Sequence, residues 1–175
     1  MGRLRKKTMK MVKRSFLFFG LLLVSAAAIA AQNLPNVNGG SVDIQAQKGK
    51  VVILAIGASW LPLSGKQAAF TNSLAGKYSG KNVVIYFIVT DSSNARSKNY
   101  ASDEAIKKFI ADNNLRVPVL RDSDGAATLK KFGVDQLPSF VLLDKNGAQA
   151  GEPFGGIDPK FDITVPISKA VDKLL

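Results

Sequence analysis

The sequence contains no cysteine and no histidine, and these two absences exclude several kinds of chemistry. Without a thiolate, the chain cannot attack a disulfide or a peroxide through sulfur. Zinc, haem and copper sites of the usual kinds lose their thiolate and imidazole ligands, and a Ser-His-Asp triad cannot form. We therefore predict no catalytic residue, no metal site and no cofactor.

Acidic residues are absent from the first 42 positions, whereas seven of the 24 basic residues lie in the first 14. These seven are Arg3, Arg5, Lys6, Lys7, Lys10, Lys13 and Arg14. The other 17 basic residues accompany all 13 acidic ones, so the net charge from Asp43 onward is only +4. Such a charge is typical of an ordinary solvated surface, and we predict no nucleic-acid partner.

The N-terminal segment has the pattern of an export signal. The basic stretch is followed by an apolar run that begins at Phe16, and Ala28 and Ala30 satisfy the small-x-small cleavage rule. Cleavage is predicted before Ala31 or before Gln32. The apolar and small residues 16–31 number 16, fewer than the roughly 20 that span a bilayer. We predict a signal peptide over residues 1–31 and a periplasmic or extracellular protein. The alternative is an uncleaved anchor, with the domain facing outward and touching the membrane only through this segment.

The remaining chain is predicted to hold a linker, residues 32–40, and one domain, residues 41–175. Continuous apolar runs at 51–56 and 83–89 predict strands buried on both faces. Three helical patterns are present. They are apolar positions from Leu63 to Tyr78, a helix capped by Ser102, and a C-terminal amphipathic stretch. A short helix over 126–132 is predicted to end at Gly133, and a strand over 139–143 is predicted to open a hairpin. This alternation of strands and helices indicates an α/β fold.

Two motifs point to a family. Residues 60–64 read Trp-Leu-Pro-Leu-Ser directly after the first apolar run, and Pro138 opens a later strand. Together they resemble the thioredoxin-like proteins of the TlpA and redoxin (AhpC/TSA-like) type over roughly the last four-fifths of the chain. The resemblance implies a central mixed sheet flanked by helices, with an extra segment after the second core strand. It also implies a cis Leu137–Pro138 bond that faces the start of the first helix.

In this family the two reactive cysteines would fall on Leu61 and Ser64. A leucine cannot use the positive end of a helix, and a serine is a poor nucleophile without a base. Lys66, two residues further on, lies on a different helix face, so a Ser–Lys dyad is not expected. The resemblance implies a binding groove instead. Its predicted residues are Trp60, Leu61, Pro62, Ser64, Leu137 and Pro138.

Three functions remain open at this point. The first is a redox-inactive module that holds an extended peptide or a partner protein in the groove. The second is a thiol-disulfide oxidoreductase or peroxidase, which the resemblance alone suggests and the absence of cysteine opposes. The third is a structural assembly subunit in which Pro138 only shapes the entry to its strand. Exposed side chains at Leu61, Leu63 and Leu137 would favour binding.

Two acidic stretches, residues 122–125 and 144–147, imitate the start of a calcium-binding loop. An EF-hand loop needs a glutamate at its twelfth position. Counting from Asp122 and from Asp144, that position holds Gly133 and Gly155. We therefore predict that both stretches are turns.

Overall fold

The computed structural model describes Gly2, residues 33–158 and residues 160–175. The predicted signal peptide, its cleavage site and the alternative anchor lie outside these residues. No helix in the described part of the chain combines the length and the apolar character needed to cross a bilayer.

A five-stranded mixed sheet forms the centre of the molecule, in the order β5-β4-β3-β6-β7. Its strands are β3 (Val51–Gly57), β4 (Val83–Val89), β5 (Val119–Arg121), β6 (Ser139–Leu143) and β7 (Phe154–Gly155). The strands β3, β4 and β5 run parallel, whereas β6 and β7 are antiparallel to their neighbours. All seven residues of β3 are buried, because layers of side chains cover both faces of the sheet. The strand predictions for the two apolar runs and for 139–143 are confirmed.

Three helices cover one face of this sheet: α1 (Ser64–Lys77), α2 (Asp103–Asp112) and α3 (Thr164–Leu174). Their buried residues join one core cluster with alternate residues of β3 and β4. These helix residues include Phe70 and Leu74 of α1, Ile106 of α2, and Ile167 and Val171 of α3. The helix α2 and strand β5 follow β4, and they form the extra segment that the resemblance implied. The predicted α/β fold is therefore confirmed.

The chain before β3 differs from the linker predicted over residues 32–40. Asn33–Pro35 forms a strand, β1, that pairs antiparallel with β2 (Ser41–Asp43). Leu34 is buried in the core cluster on the second face of the sheet. The backbone N–H of Val37 also donates to the carbonyl of Val119, so the ribbon covers the outer edge of β5. Strand β1 was not predicted, because a single buried leucine among polar residues gives no periodic signal.

The helix predicted over 126–132 is a series of hydrogen-bonded turns that follows a 3-10 helix at Ser123–Gly125. The side chain of Asp122 accepts hydrogen bonds from the backbone N–H groups of Ala127 and Thr128, which competes with regular helix formation. The predicted end is confirmed, because Gly133 has a φ of 63° and Val134 N–H donates to the carbonyl of Leu129.

Ser102 caps α2 as predicted, with its Oγ accepting the backbone N–H of Ala105 at 3.2 Å. We expect Ser102→Ala to lower the free energy of unfolding by about 0.5–2 kcal/mol, because this donor would lose its acceptor. Urea unfolding monitored by circular dichroism measures the change. Ser73→Ala, at an exposed position inside α1, is the matched control and should be neutral or slightly stabilising. Equal losses in the two variants would contradict a capping role for Ser102.

Candidate functional site

The first wall of the predicted groove is the turn between β3 and α1. The backbone N–H of Leu61 donates to the carbonyl of Ala58, and that of Ser64 donates to the carbonyl of Leu61. Trp60 lies in this turn at the surface, and 53% of the residue is exposed. The first turn of α1 contains no acidic residue, and Leu63 at its N-cap offers no capping side chain. The positive end of α1 therefore lies beside the Trp60 turn without an acidic side chain of its own.

The second wall is the segment before β6. The Leu137–Pro138 bond is cis, as the resemblance implied. Pro138 is buried, and Leu137 is half-buried against the second core cluster. Among the residues that the structure describes, no group hydrogen-bonds to the backbone N–H or C=O of residues 135–137. This segment therefore offers three consecutive unpaired peptide units next to the cis-proline.

Gln67 of α1 connects these two walls. Its side chain is fully buried, and Nε2 donates to the carbonyl of Ile56 at 3.1 Å and to that of Ser139 at 2.8 Å. One amide thus holds the helix to the end of β3 and to the residue that follows Pro138. From the sequence, Gln67 was predicted only to lie on the buried face of this helix. A polar residue at an otherwise apolar position of that face could have indicated a buried hydrogen-bonding role.

Ser64, one of the predicted groove residues, is the first residue of α1. Its side chain is fully buried, and its Oγ has no hydrogen-bond partner among the described residues. It lies near Gly57, beside the unpartnered Oε1 of Gln67. The exposed Lys66 places its Nζ over the ring of Phe70, 4.9 Å from the centroid. No Ser–Lys hydrogen bond forms, as expected from the spacing.

The other predicted groove residues differ in exposure. Trp60 and Pro62 are exposed, and Leu61 is half-buried, like Leu137. Leu63 is also half-buried and packs against the main core. The three leucines therefore offer partial apolar surface, not the full exposure that we set as the sign of binding. Trp60 contributes the largest exposed apolar side chain at this site.

A third segment borders the site, and its described residues are 155–158 and 160–162. Gly156 lies against the side chain of Gln136, where an added Cβ would come within 3.2 Å of Oε1. Further along, hydrogen bonds from Thr164 hold the pKa of Asp162 below its usual range, and the charge of Lys66 acts in the same direction. This segment thus approaches both the side chain of Gln136 and Lys66 of α1.

In the two calcium-like stretches, the first aspartate accepts hydrogen bonds from nearby backbone N–H groups. Asp144 accepts hydrogen bonds from the N–H groups of Ala148 and Asn146, the largest contribution coming from Ala148, and its pKa lies below the usual range. The stretch 144–147 is a turn, as predicted, whereas 123–125 is a 3-10 helix. No group of three or more acidic side chains in the described ranges is placed to hold a metal ion.

The mixed sheet, with a cis-proline strand beside the start of a helix, defines a thioredoxin-like protein. The model of the AhpC/TSA family matches residues 26–148, well over half of the chain, and the chain belongs to this family. The sequence resemblance to redoxins is therefore confirmed, with the difference that both cysteines are absent.

Known relatives agree with this assignment. The thiol-disulfide oxidoreductase ResA of Bacillus thuringiensis subsp. konkukian (strain 97-27) is 30% identical over 112 residues, which are 64% of this chain and 59% of ResA. The chain thus spans about three-fifths of the length of the curated relatives it matches.

Solved structures show the same fold. The exposed lipoprotein thioredoxin Etrx1 of Streptococcus pneumoniae strain TIGR4 is 25% identical, with a TM-score of 0.66 over 83% of this chain and 100% of Etrx1. A secreted disulfide oxidoreductase of Mycobacterium tuberculosis is 20% identical, with a TM-score of 0.61 over 82% of this chain and 96% of its own. Both likenesses support the thioredoxin-like fold.

Proposed function

We propose that this chain is a redox-inactive member of the AhpC/TSA family that binds an extended peptide or a partner protein segment. The groove between Trp60 and Leu137–Pro138 is the proposed binding site. The observation that carries the proposal is the backbone of residues 135–137, which lies beside the cis-proline and has no hydrogen-bond partner in the part of the chain that the structure describes.

An extended peptide can pair with this backbone as an added strand. In an antiparallel pair the N–H of one residue donates a hydrogen bond and its C=O accepts one, and neighbouring pockets then select side chains. Trp60, Leu61 and Leu137 provide apolar surface for such side chains. None of these interactions requires sulfur, so binding can persist where both cysteines are lost.

The redox-inactive part of the proposal rests on the residues at the two motif positions. ResA is named as a thiol-disulfide oxidoreductase, but this chain has Leu61 and Ser64 where the family has cysteines. Ser64 is buried and has no base within hydrogen-bond reach in the described structure. Neither residue supplies a nucleophile at the groove.

We further propose that the protein works outside the cytoplasm. The basic and apolar N-terminal segment and its small-residue cleavage pattern support export. Etrx1, which is described as an exposed lipoprotein, is a relative with a comparable placement. N-terminal sequencing of the exported protein should recover Ala31 or Gln32 as the first residue, and recovery of residues 1–30 would favour the anchor.

Peptide binding is tested with Leu61→Asp on an array of 15-residue peptides probed with purified protein. We expect wild-type protein to retain a subset of peptides and the variant to bind them at least about tenfold more weakly, because a carboxylate is costly in an apolar contact. Fluorescence anisotropy of the selected peptides measures the dissociation constants. Ala105→Asp, which adds the same charge in the first turn of α2 at an exposed position, is the control and should bind normally.

Two outcomes would contradict the proposal. A wild-type protein that retains no peptide would favour the structural assembly subunit. A Leu61→Asp variant that binds every selected peptide with wild-type affinity would place binding at another surface. Circular dichroism of both variants establishes that the fold is intact.

A further inference from the structure

The exposed Trp60 turn is attached to the sheet by a buried carboxylate. Asp91 follows β4 at the carboxyl end of the parallel strands, and its side chain has no exposed surface. One oxygen, Oδ2, accepts the backbone N–H of Ser59 at 2.9 Å. The other, Oδ1, accepts the Ser59 hydroxyl at 2.5 Å. Both oxygens of Asp91 therefore bind the residue directly before Trp60.

Trp60 has few constraints of its own. In the described part of the chain, neither its backbone nor its indole makes a hydrogen bond. Its position follows from its two neighbours, of which Leu61 bonds within the turn and Ser59 bonds to Asp91. The link to Asp91 connects this turn to the segment that follows strand β4.

The burial of Asp91 has a free-energy cost, and among the described residues its carboxylate accepts hydrogen bonds from Ser59 alone. The ion pairs among the described residues do not include Asp91; they are Lys77–Asp172, Lys108–Asp112 and Arg121–Asp103. A buried carboxylate without a cation depends on its hydrogen bonds for stability. Both of these bonds are made to the groove's rim, so the carboxylate and the rim constrain each other.

We propose that Asp91 is a positioning residue for the groove, which fixes the Trp60 turn at the distance from Leu137 that a bound strand needs. This role rests on the proposed peptide binding. The positioning itself is a property of the free protein and is measurable without any ligand.

Asp122 provides a matched comparison. It is also buried, and its carboxylate accepts hydrogen bonds from Ala127 N–H, Thr128 N–H and the Thr128 hydroxyl. These partners lie after β5, and none of them belongs to the Trp60 turn. Asp122→Asn should therefore disturb a similar buried network while leaving the groove's rim in place.

The experiment compares Asp91→Asn with Asp122→Asn in the free protein. Trp60 is the single tryptophan of the sequence, so acrylamide quenching of tryptophan fluorescence, excited where tyrosine does not absorb, reports on the rim alone. We expect Asp91→Asn to alter this quenching and to raise amide exchange at Ser59 roughly tenfold, because a neutral amide replaces two charge-assisted hydrogen bonds with weaker ones. Asp122→Asn should lower the melting temperature but leave both signals unchanged.

The proposal would be overturned if Asp91→Asn showed the same quenching and the same Ser59 exchange rate as the wild-type protein. Equal changes in Asp91→Asn and Asp122→Asn would also overturn it. If Asp91→Asn does not fold, Ser59→Ala and Ser59→Thr decide the same question. The alanine variant loses the hydroxyl bond and should free Trp60, whereas threonine keeps a hydroxyl and should restore the wild-type signal. Indistinguishable alanine and threonine variants would contradict the role of Asp91.

The same variants separate this inference from the proposed function. If wild-type protein binds peptide from the array, Asp91→Asn should weaken binding about fivefold or more while Asp122→Asn does not. If wild-type protein binds no peptide, the proposed function fails, and the fluorescence and exchange data still decide whether Asp91 positions the turn.

Discussion

Replacing Leu61 and Ser64 together with cysteine is expected to give the chain a disulfide-reductase activity that the wild-type protein lacks. The thiol introduced at position 61 would lie at the half-buried entrance to α1, and the one at position 64 at its fully buried first residue. One accessible and one sheltered thiol can attack a substrate and then resolve the mixed disulfide.

The size of the expected reductase activity depends on the pKa of the thiol at the N-terminus of α1. A thiol at a helix N-terminus has a lowered pKa, and a fall from about 8.5 to about 7 raises the thiolate fraction at pH 7 by more than about tenfold. Dithiothreitol-driven reduction of insulin, followed by turbidity, measures the activity. Wild-type protein should remain at the level of buffer, since it has no cysteine.

The single variants Leu61→Cys and Ser64→Cys are the controls, because neither can close an intramolecular disulfide. We expect both to stay near the wild-type level. A correctly folded double variant that forms no internal disulfide, or that reduces no insulin, would show that the two positions are not arranged as in redox-active relatives. That result would also weaken the comparison between this groove and theirs.

The second large effect is expected from Gln67→Leu. The substitution removes the donor from two buried carbonyls, those of Ile56 and Ser139, and each unsatisfied carbonyl costs about 1–3 kcal/mol. Part of this loss is recovered, because the unpartnered Oε1 is removed as well. We expect a net loss of about 2–3 kcal/mol in the free energy of unfolding, measured by urea denaturation.

Gln149→Leu is the matched control for this prediction. Gln149 also donates from Nε2 to two carbonyls, those of Phe132 and Gly151, but it is exposed. Water can replace its bonds, so its loss should cost less than about 1 kcal/mol. Equal effects at the two positions would contradict the view that Gln67 braces the helix against the cis-proline strand.

The sequence predicted the elements that bury continuous apolar runs. Strands β3 and β4 and the buried face of α1 were found because each contributes several apolar residues at a regular period. The cis-proline followed from the resemblance, since no local pattern distinguishes it. Strand β1 was missed because Leu34 is its only buried residue among the described positions.

The polar contacts of the site were the least predictable part. Residues 91–100 are a polar stretch of the kind that usually lies at the surface, yet Asp91 and Ser92 are buried. The sequence also gave no sign that Ser64, predicted as a groove residue, is fully buried. Each of these positions depends on which neighbouring strand or helix a side chain meets in three dimensions, and spacing along the chain does not specify that contact.

Peptide binding at the cis-proline is tested most directly by nuclear magnetic resonance of the ¹⁵N-labelled protein, titrated with peptides selected on the array. We expect the largest amide shifts at residues 135–137 and at Leu61 and Leu63, together with a shift of the Trp60 indole resonance. A new protection of the Leu137 amide against exchange would mark the added strand. Shifts confined to other surfaces, or a Leu137 amide that exchanges equally fast with and without saturating peptide, would contradict binding through this groove.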